Sequence, residues 1–182
     1  MLNQFVEALK KVGGQVAEVA DVGEAAAYIA AHVTGAVLLP AQPSLQRAGL
    51  VAALEADGVA LVKDSWREQG PAASAGVTGA NFALADTGTL VLDSTAEALR
   101  LTTTLPERHF ALLDPGKILA DSLAAVPYLR GFHERAPRNY LAYITGPSRT
   151  ADIERVLTIG VHGPRELHVL LMPGLSSNFY EL

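Results

Sequence analysis

Ala36-Val37-Leu38-Leu39-Pro40 and Val59-Ala60-Leu61-Val62, with the segment from Ser44 to Ala56 between them, decide the fold. Both short runs are apolar at every position instead of alternating, which is the pattern of a strand buried on both faces. Ser44 is placed to cap a helix over about Leu45 to Ala56, so the unit reads strand, helix, strand, with strands that must run parallel. Toward the start of the chain the same rhythm continues. Gln15 to Ala20 reads as a strand, Asp21 as an N-cap with Glu24 three residues on, and Ala25 to Val33 as a helix. Before them Leu2, Phe5, Val6 and Leu9 recur at helical spacing and stop at Gly13-Gly14. A mainly parallel sheet covered on both faces, in one α/β domain spanning 1–182, is the expectation.

After Val62 the alternation is interrupted. Asp64 to Ser74 is polar and reads as a loop, with the only Trp, Trp66, near its start, where packing is its expected role. Asp86-Thr87-Gly88, between the apolar arms Phe82 to Ala85 and Thr89 to Leu92, reads as a hairpin turn in which Gly88 supplies the positive φ. Beyond Pro106 the spacing predicts strands at His109 to Leu113, Tyr140 to Thr145 and Leu167 to Met172. Helices are predicted over Lys117 to Leu129 and about Ala151 to Thr158.

Composition removes several functions. Fourteen basic against nineteen acidic residues give a net charge of −5 and a pI near 5.5, so the clustered cationic excess that neutralises nucleic-acid phosphates is missing. With no cysteine, these residues supply no disulfide, no thiolate zinc site, no thiolate-held iron–sulfur cluster and no cysteine nucleophile. The charge-free stretch from Ala25 to Gln46 is broken by His32, Gly35, Pro40 and Pro43, so no membrane span is predicted. Met1-Leu2-Asn3-Gln4 does not open a signal peptide, and a cytoplasmic protein is expected. Only 18% of residues are charged, which suggests a surface covered by a partner, a second copy of the chain included.

No dinucleotide fingerprint, P-loop, zincin motif or esterase elbow is present. Three polar, glycine-rich segments carry what chemistry there is. The first holds Thr78, Asn81, Asp86, Thr87, Gly88 and Thr89, either as a ligand loop or as a hairpin whose polar groups satisfy its own backbone. The second runs from Gly146 through Ser148, Arg149, Thr150 and Asp152, following a strand and opening a predicted helix. It is either a seat for a carboxylate or phosphate, or an ordinary helix start capped by Thr150. The third is Gly160-Val161-His162-Gly163-Pro164-Arg165, where a His between glycines favours a polar role for His162 over a merely solvated loop. Asp86 and His162 are the two candidates for proton transfer. His32, His109 and His168 read as packing residues, His133 as part of a solvated basic cluster, and no pair has metal-ligand spacing.

Taken together, Gly76-Val77-Thr78, Phe82 to Thr89, Leu105-Pro106-Glu107-Arg108-His109, Gly146 to Glu154 and Gly160 to Pro164 strongly resemble the LUD domain of the LutC/YkgG family of lactate-utilisation proteins. The resemblance covers about Gly76 to Met172. It departs at Asp86, where the family commonly has Glu, and in a shorter stretch before the motifs. It implies a three-layer α/β/α fold like that of NagB, ribose-5-phosphate isomerase and the CoA transferases. It also implies an operon whose other two proteins are cysteine-rich, carry the iron–sulfur clusters and, with this one, oxidise L-lactate to pyruvate.

The leading expectation is a non-redox component of that system, without a cofactor of its own, with an anion held by Arg149 and the three segments at the carboxyl ends of the strands. Two rivals stand beside it. One is a stand-alone isomerase- or transferase-like enzyme on a small phosphorylated or CoA-linked acid, with Asp86 as base or nucleophile. The other is a structural adaptor.

Overall fold

The computed structural model describes residues 1–62, 64–136, 138–150 and 158–182. In chain order the elements are α1 (Leu2–Lys11), β1 (Gln15–Glu18), α2 (Val22–His32), β2 (Val37–Leu38), α3 (Pro43–Ala48), α4 (Leu50–Ala56), β3 (Leu61–Val62), α5 (Trp66–Gln69), β4 (Ala75–Gly79), β5 (Phe82–Leu84), β6 (Thr89–Asp93), α6 (Glu97–Thr104), β7 (Arg108–Leu113), β8 (Ile118–Leu119), α7 (Ser122–Arg135), β9 (Leu141–Ile144), β10 (Arg149–Thr150), β11 (Thr158–Ile159) and β12 (Glu166–Leu171).

Six strands form a wholly parallel sheet in the order β1-β12-β7-β4-β2-β3. Every residue of β4 is buried, as are the last five of β7 and of β12, so both faces of the sheet are covered. On one face Ala25, Ile29, Leu45, Leu50 and Leu54 from α2, α3 and α4 pack on Val37, Val77, Phe110 and Leu170. On the other, Phe5 and Leu9 of α1 and Leu99 of α6 join Ala111, Leu113, Leu167 and Val169. There they meet a second, four-stranded sheet of order β8-β5-β6-β9, contributed by the hairpin, whose Leu90 and Leu92 point into the same core. The far side of this small sheet is closed by Ala125 and Phe132 of α7 against Phe82, Leu84 and Val91.

Local chemistry accounts for the boundaries. Asp21 accepts the Glu24 N–H at 3.0 Å while Glu24 reaches back to the Ala20 N–H at 2.7 Å, a reciprocal pair that starts α2 as its sequence predicts. The predicted helix after Ser44 is corrected in two ways. It begins at Pro43, whose locked φ suits a first turn, leaving Ser44 buried inside it, and Gly49 at φ 79° breaks it into α3 and α4. The helix predicted from Lys117 starts only at Ser122, capped by Asp121 on the Ala124 N–H. Before it, Pro115–Lys117 forms a 3-10 turn and Ile118 and Leu119 pair with β5. The Asp64 to Ser74 loop contains α5 and a 3-10 turn, and α6 is a helix that the Thr-rich segment did not announce. The helix predicted over Ala151 to Thr158 falls outside the described residues except at Thr158, which is in β11 and pairs with Thr150.

The hairpin turn forms at the predicted place but over four residues instead of three, since β5 ends at Leu84 and Ala85 joins Asp86-Thr87-Gly88 in the turn. Gly88 lies at φ 66°, its N–H bonded to the Leu84 carbonyl, and a Cβ there would collide with the backbone of Ala8 and Leu9 in α1. Gly88→Ala therefore combines a left-handed conformation with a clash against immovable backbone. It is expected to cost at least about 2 kcal/mol in urea denaturation.

Inside the parallel sheet a buried polar pair joins β4 to β7: Thr78 Oγ1 and His109 Nε2 are 2.8 Å apart, with His109 1% exposed. Burial lowers the His109 pKa from 6.5 to about 4, so the folded protein holds it neutral where the unfolded chain would protonate it. Stability attached to this residue is whole above pH 6.5 and is lost as the pH falls toward 4, to a total of roughly 3 kcal/mol. Urea midpoints measured between pH 7 and 4 are expected to fall less steeply in His109→Asn than in the wild type.

Candidate functional site

Two of the three polar segments meet at the amino ends of the parallel strands. Thr145, Gly146, Pro147 and Ser148, leaving β9, face His162, Gly163 and Pro164, which lead into β12, across a cavity of about 300 Å³. Its remaining wall includes Thr103 and Thr104 at the end of α6, His109 at the start of β7, and Tyr143. Packing holds the two loops in contact. Ser148 donates its N–H to the Pro164 carbonyl and accepts the Gly160 N–H, both at 2.9 Å. Gly163 sits at φ 151° with the Ser148 side chain where its own Cβ would lie, so a glycine is required there. His162 is exposed and also borders a wider cleft of about 920 Å³, whose rim carries Arg108, Arg165 and Glu107.

The third segment reaches this cavity through hydroxyl groups. Thr87 donates to the Asp86 carboxylate at 3.2 Å, Thr87 and Thr89 hydroxyls are 2.7 Å apart, and Thr89 and Thr145 hydroxyls are 2.8 Å apart. Each hydroxyl has one proton and a carboxylate has none, so the ladder has one direction: Thr145 donates to Thr89, Thr89 to Thr87, Thr87 to Asp86. Thr145, with its proton committed, can only accept from whatever enters the cavity. His109 is likewise neutral, and Thr78 stands behind it.

The candidates thus separate. Gly146, Ser148, His162 and Gly163 line the cavity; Thr89, Thr87 and Asp86 connect to it through Thr145, and Thr78 through His109. Asp86 is exposed on its turn and does not line the cavity beside His162, so the two are not brought together as an acid–base pair. Arg149 turns away: its guanidinium bonds the Val12 carbonyl at the end of α1. Thr150 pairs with Thr158 in a two-stranded ladder, Gly88 packs on α1, and Asp152 and the helix expected after Thr150 lie outside the described residues. Asn81 is buried at the opposite end of β4, its amide spent on the Asp93 N–H and the Phe179 carbonyl. The expected location at the carboxyl ends is therefore corrected for the second and third segments, whose loops face the amino ends of the parallel strands β7 and β12, while Asn81 of the first lies beyond the carboxyl end of β4. Sequence reading passed over Thr145, Thr103 and Thr104, and took His109 for packing. A buried His opposite a Thr on the neighbouring strand was the available signal.

Among the described residues no three His, Asp or Glu side chains lie together as a metal site, and no helix is long and apolar enough to cross a membrane.

This arrangement has known relatives. The chain is 41% identical over 96 residues to an uncharacterized protein of Neisseria meningitidis serogroup B, covering 53% of this chain and 41% of that one. It is 33% identical over 141 residues to lactate utilization protein C of Anoxybacillus flavithermus, covering 75% and 62% of the two chains. To the protein of the same name from Bacillus subtilis it is 29% identical over 150 residues, covering 76% and 62%. It spans less than two thirds of the length of these relatives. A crystal structure of a DUF162 family protein from Deinococcus radiodurans superposes with a TM-score of 0.66 at 20% identity, over 94% of this chain and 95% of that one, and so shares the fold. The LUD domain family model matches residues 2–172, the whole parallel sheet and both loops of the cavity included, and the chain belongs to the LUD domain family.

Proposed function

We propose that this chain is a non-redox component of a lactate-utilisation system and that it holds a small hydroxy acid in the cavity between Ser148 and His162. The observation that carries this reading is the polarity of the hydroxyl ladder. Thr145 presents lone pairs only, which suits a ligand hydroxyl that donates and disfavours a ketone that can only accept. His162 on the facing loop and the Ser148 hydroxyl on the same wall as Thr145 supply donors for the carboxylate. The relatives named lactate utilization protein C support the choice of acid. Oxidation of lactate to pyruvate releases two electrons, and these 182 residues contain no cysteine to hold a thiolate-ligated cluster. The electrons therefore pass to iron–sulfur partner proteins, with this chain binding and positioning the acid and carrying no cofactor. The partners meet it in the cytoplasm.

Calorimetric titration is expected to show L-lactate bound about tenfold more tightly than pyruvate, the worth of one hydrogen bond. Asp86→Ala, which frees the ladder to reverse, is expected to bring the two within about threefold. His162→Ala is expected to weaken both by about tenfold. Equal affinities in the wild type, or full affinity in His162→Ala, would remove the acid from this cavity. Lactate-dependent reduction of an electron acceptor is expected only with the iron–sulfur partners present, and turnover by the chain alone would make it an enzyme in its own right.

A further inference from the structure

The other end of the sheet holds a second constellation. From β2 the chain passes through α3 and α4 to β3 on one side, and from β4 it passes through α6 to β7 on the other. The connections diverge between β2 and β4, and it is outside the carboxyl ends at such a point that open parallel sheets bind their ligands. Four donors converge there. The Lys117 ammonium, 2% exposed, donates to the Ala80 carbonyl at 3.2 Å and the Glu181 carbonyl at 2.9 Å. Gln42, 1% exposed, accepts the Gly79 N–H with Oε1, which fixes its amide orientation and leaves Nε2 buried with no partner. The Ser44 N–H donates to a main-chain oxygen of Leu182 at 3.0 Å, and Arg47 grips the Glu181 carboxylate with two guanidinium nitrogens.

The segment from Ser176 to Leu182 fills this crevice, and it fits incompletely. Lys117 is a buried cation whose contacts among the described residues are neutral carbonyls, and Gln42 Nε2 has no acceptor. Burial holds the Lys117 pKa down to about 8, against the opposing pull of the nearby Asp114 and Glu181 carboxylates. Glu181 offers a carboxylate to Arg47 at one end and a neutral carbonyl to Lys117 at the other, five carbons end to end. A cavity of about 370 Å³ adjoins Arg47.

We propose that this crevice is a second ligand site, for a five-carbon dicarboxylate that displaces the resident segment. One carboxylate takes the place of the Glu181 side chain on Arg47. The other takes the place of the Glu181 carbonyl, giving Lys117 a full negative charge and Gln42 Nε2 its missing acceptor. The segment acts as a strap that competes with the ligand, held from outside by Phe179 stacked on Tyr128 and by Tyr180 under Arg135.

Glutarate is the probe, with butyrate as the one-carboxylate control, read by calorimetry and by hydrogen exchange of the amides of residues 176–182. Glutarate is expected to bind at least tenfold more tightly than butyrate and to speed exchange in the strap. Arg47→Ala is expected to lose at least tenfold in glutarate affinity, and Lys117→Met to lose the preference for two carboxylates. Glu181→Gln, which loosens the strap without touching the cradle, is expected to tighten glutarate several-fold, a gain that damage to the fold would not produce. Affinity for L-lactate is expected to be unchanged in Glu181→Gln, and affinity for glutarate unchanged in His162→Ala, so either site can fail without the other. Equal binding of glutarate and butyrate, or a Glu181→Gln variant that binds glutarate no better than the wild type, would overturn the proposal.

Discussion

Parallel strands buried on both faces are the constraint on which this molecule depends. Because β7 and β12 carry apolar side chains on both faces and β4 is buried along its whole length, each face must be covered by a layer that is itself amphipathic. Helices α2 to α4 supply one layer. The other is shared by α1, α6 and the small sheet built on the hairpin, and this is why Gly88 must sit directly on the backbone of α1. With the faces occupied, the two ends of the sheet remain open to polar side chains, and each carries a cluster of them.

The ends differ in how they treat charge. At the amino end the buried titratable group, His109, is neutral and paired with Thr78, so desolvation is met by removing the proton. At the carboxyl end Lys117 meets the same burial by leaning on main-chain carbonyls, a weaker remedy for a cation than a contacting carboxylate. A third polar cluster sits beside the first strand: His168 shares its ring nitrogens with Tyr28 at 3.0 Å and Glu166 at 3.0 Å, and Arg108 completes the Glu166 pair at 3.2 Å. Among the described residues none of its buried side-chain nitrogens or oxygens lacks a partner, which marks it as reinforcement of the sheet.

What the sequence made legible follows from which interactions are local. The strands of the sheet, the Asp21–Glu24 start of α2 and the Gly88 turn are each set by residues within a few positions of one another. Proline and glycine moved boundaries by their own backbone rules, at Pro43, Gly49 and Pro115, and reading Ser44 as a cap overlooked the Pro before it. The convergence of Ser148 with Gly163, and of Thr89 with Thr145, spans 15 and 56 positions and depends on how the small sheet docks. The Arg149 guanidinium illustrates the limit in the other direction. Its local context suggested an anion seat, but Val12, far away in sequence, offers the bare carbonyl of a helix end, a strong acceptor that needs a donor.

The Asp at position 86, where the resemblance implies a Glu, can be weighed in the same terms. The ladder asks two things of position 86: an acceptor with no proton to give, and reach to the Thr87 hydroxyl. Any ionised carboxylate meets the first. The second is short, because Thr87 is the next residue and its hydroxyl stands 3.2 Å from the Asp86 oxygen. A longer side chain would add rotamer freedom on an exposed turn without bringing the acceptor any nearer to the cavity, which Thr89 and Thr145 already bridge. On the proposed reading position 86 acts through the direction of the hydroxyl chain, and the shorter Asp preserves that direction.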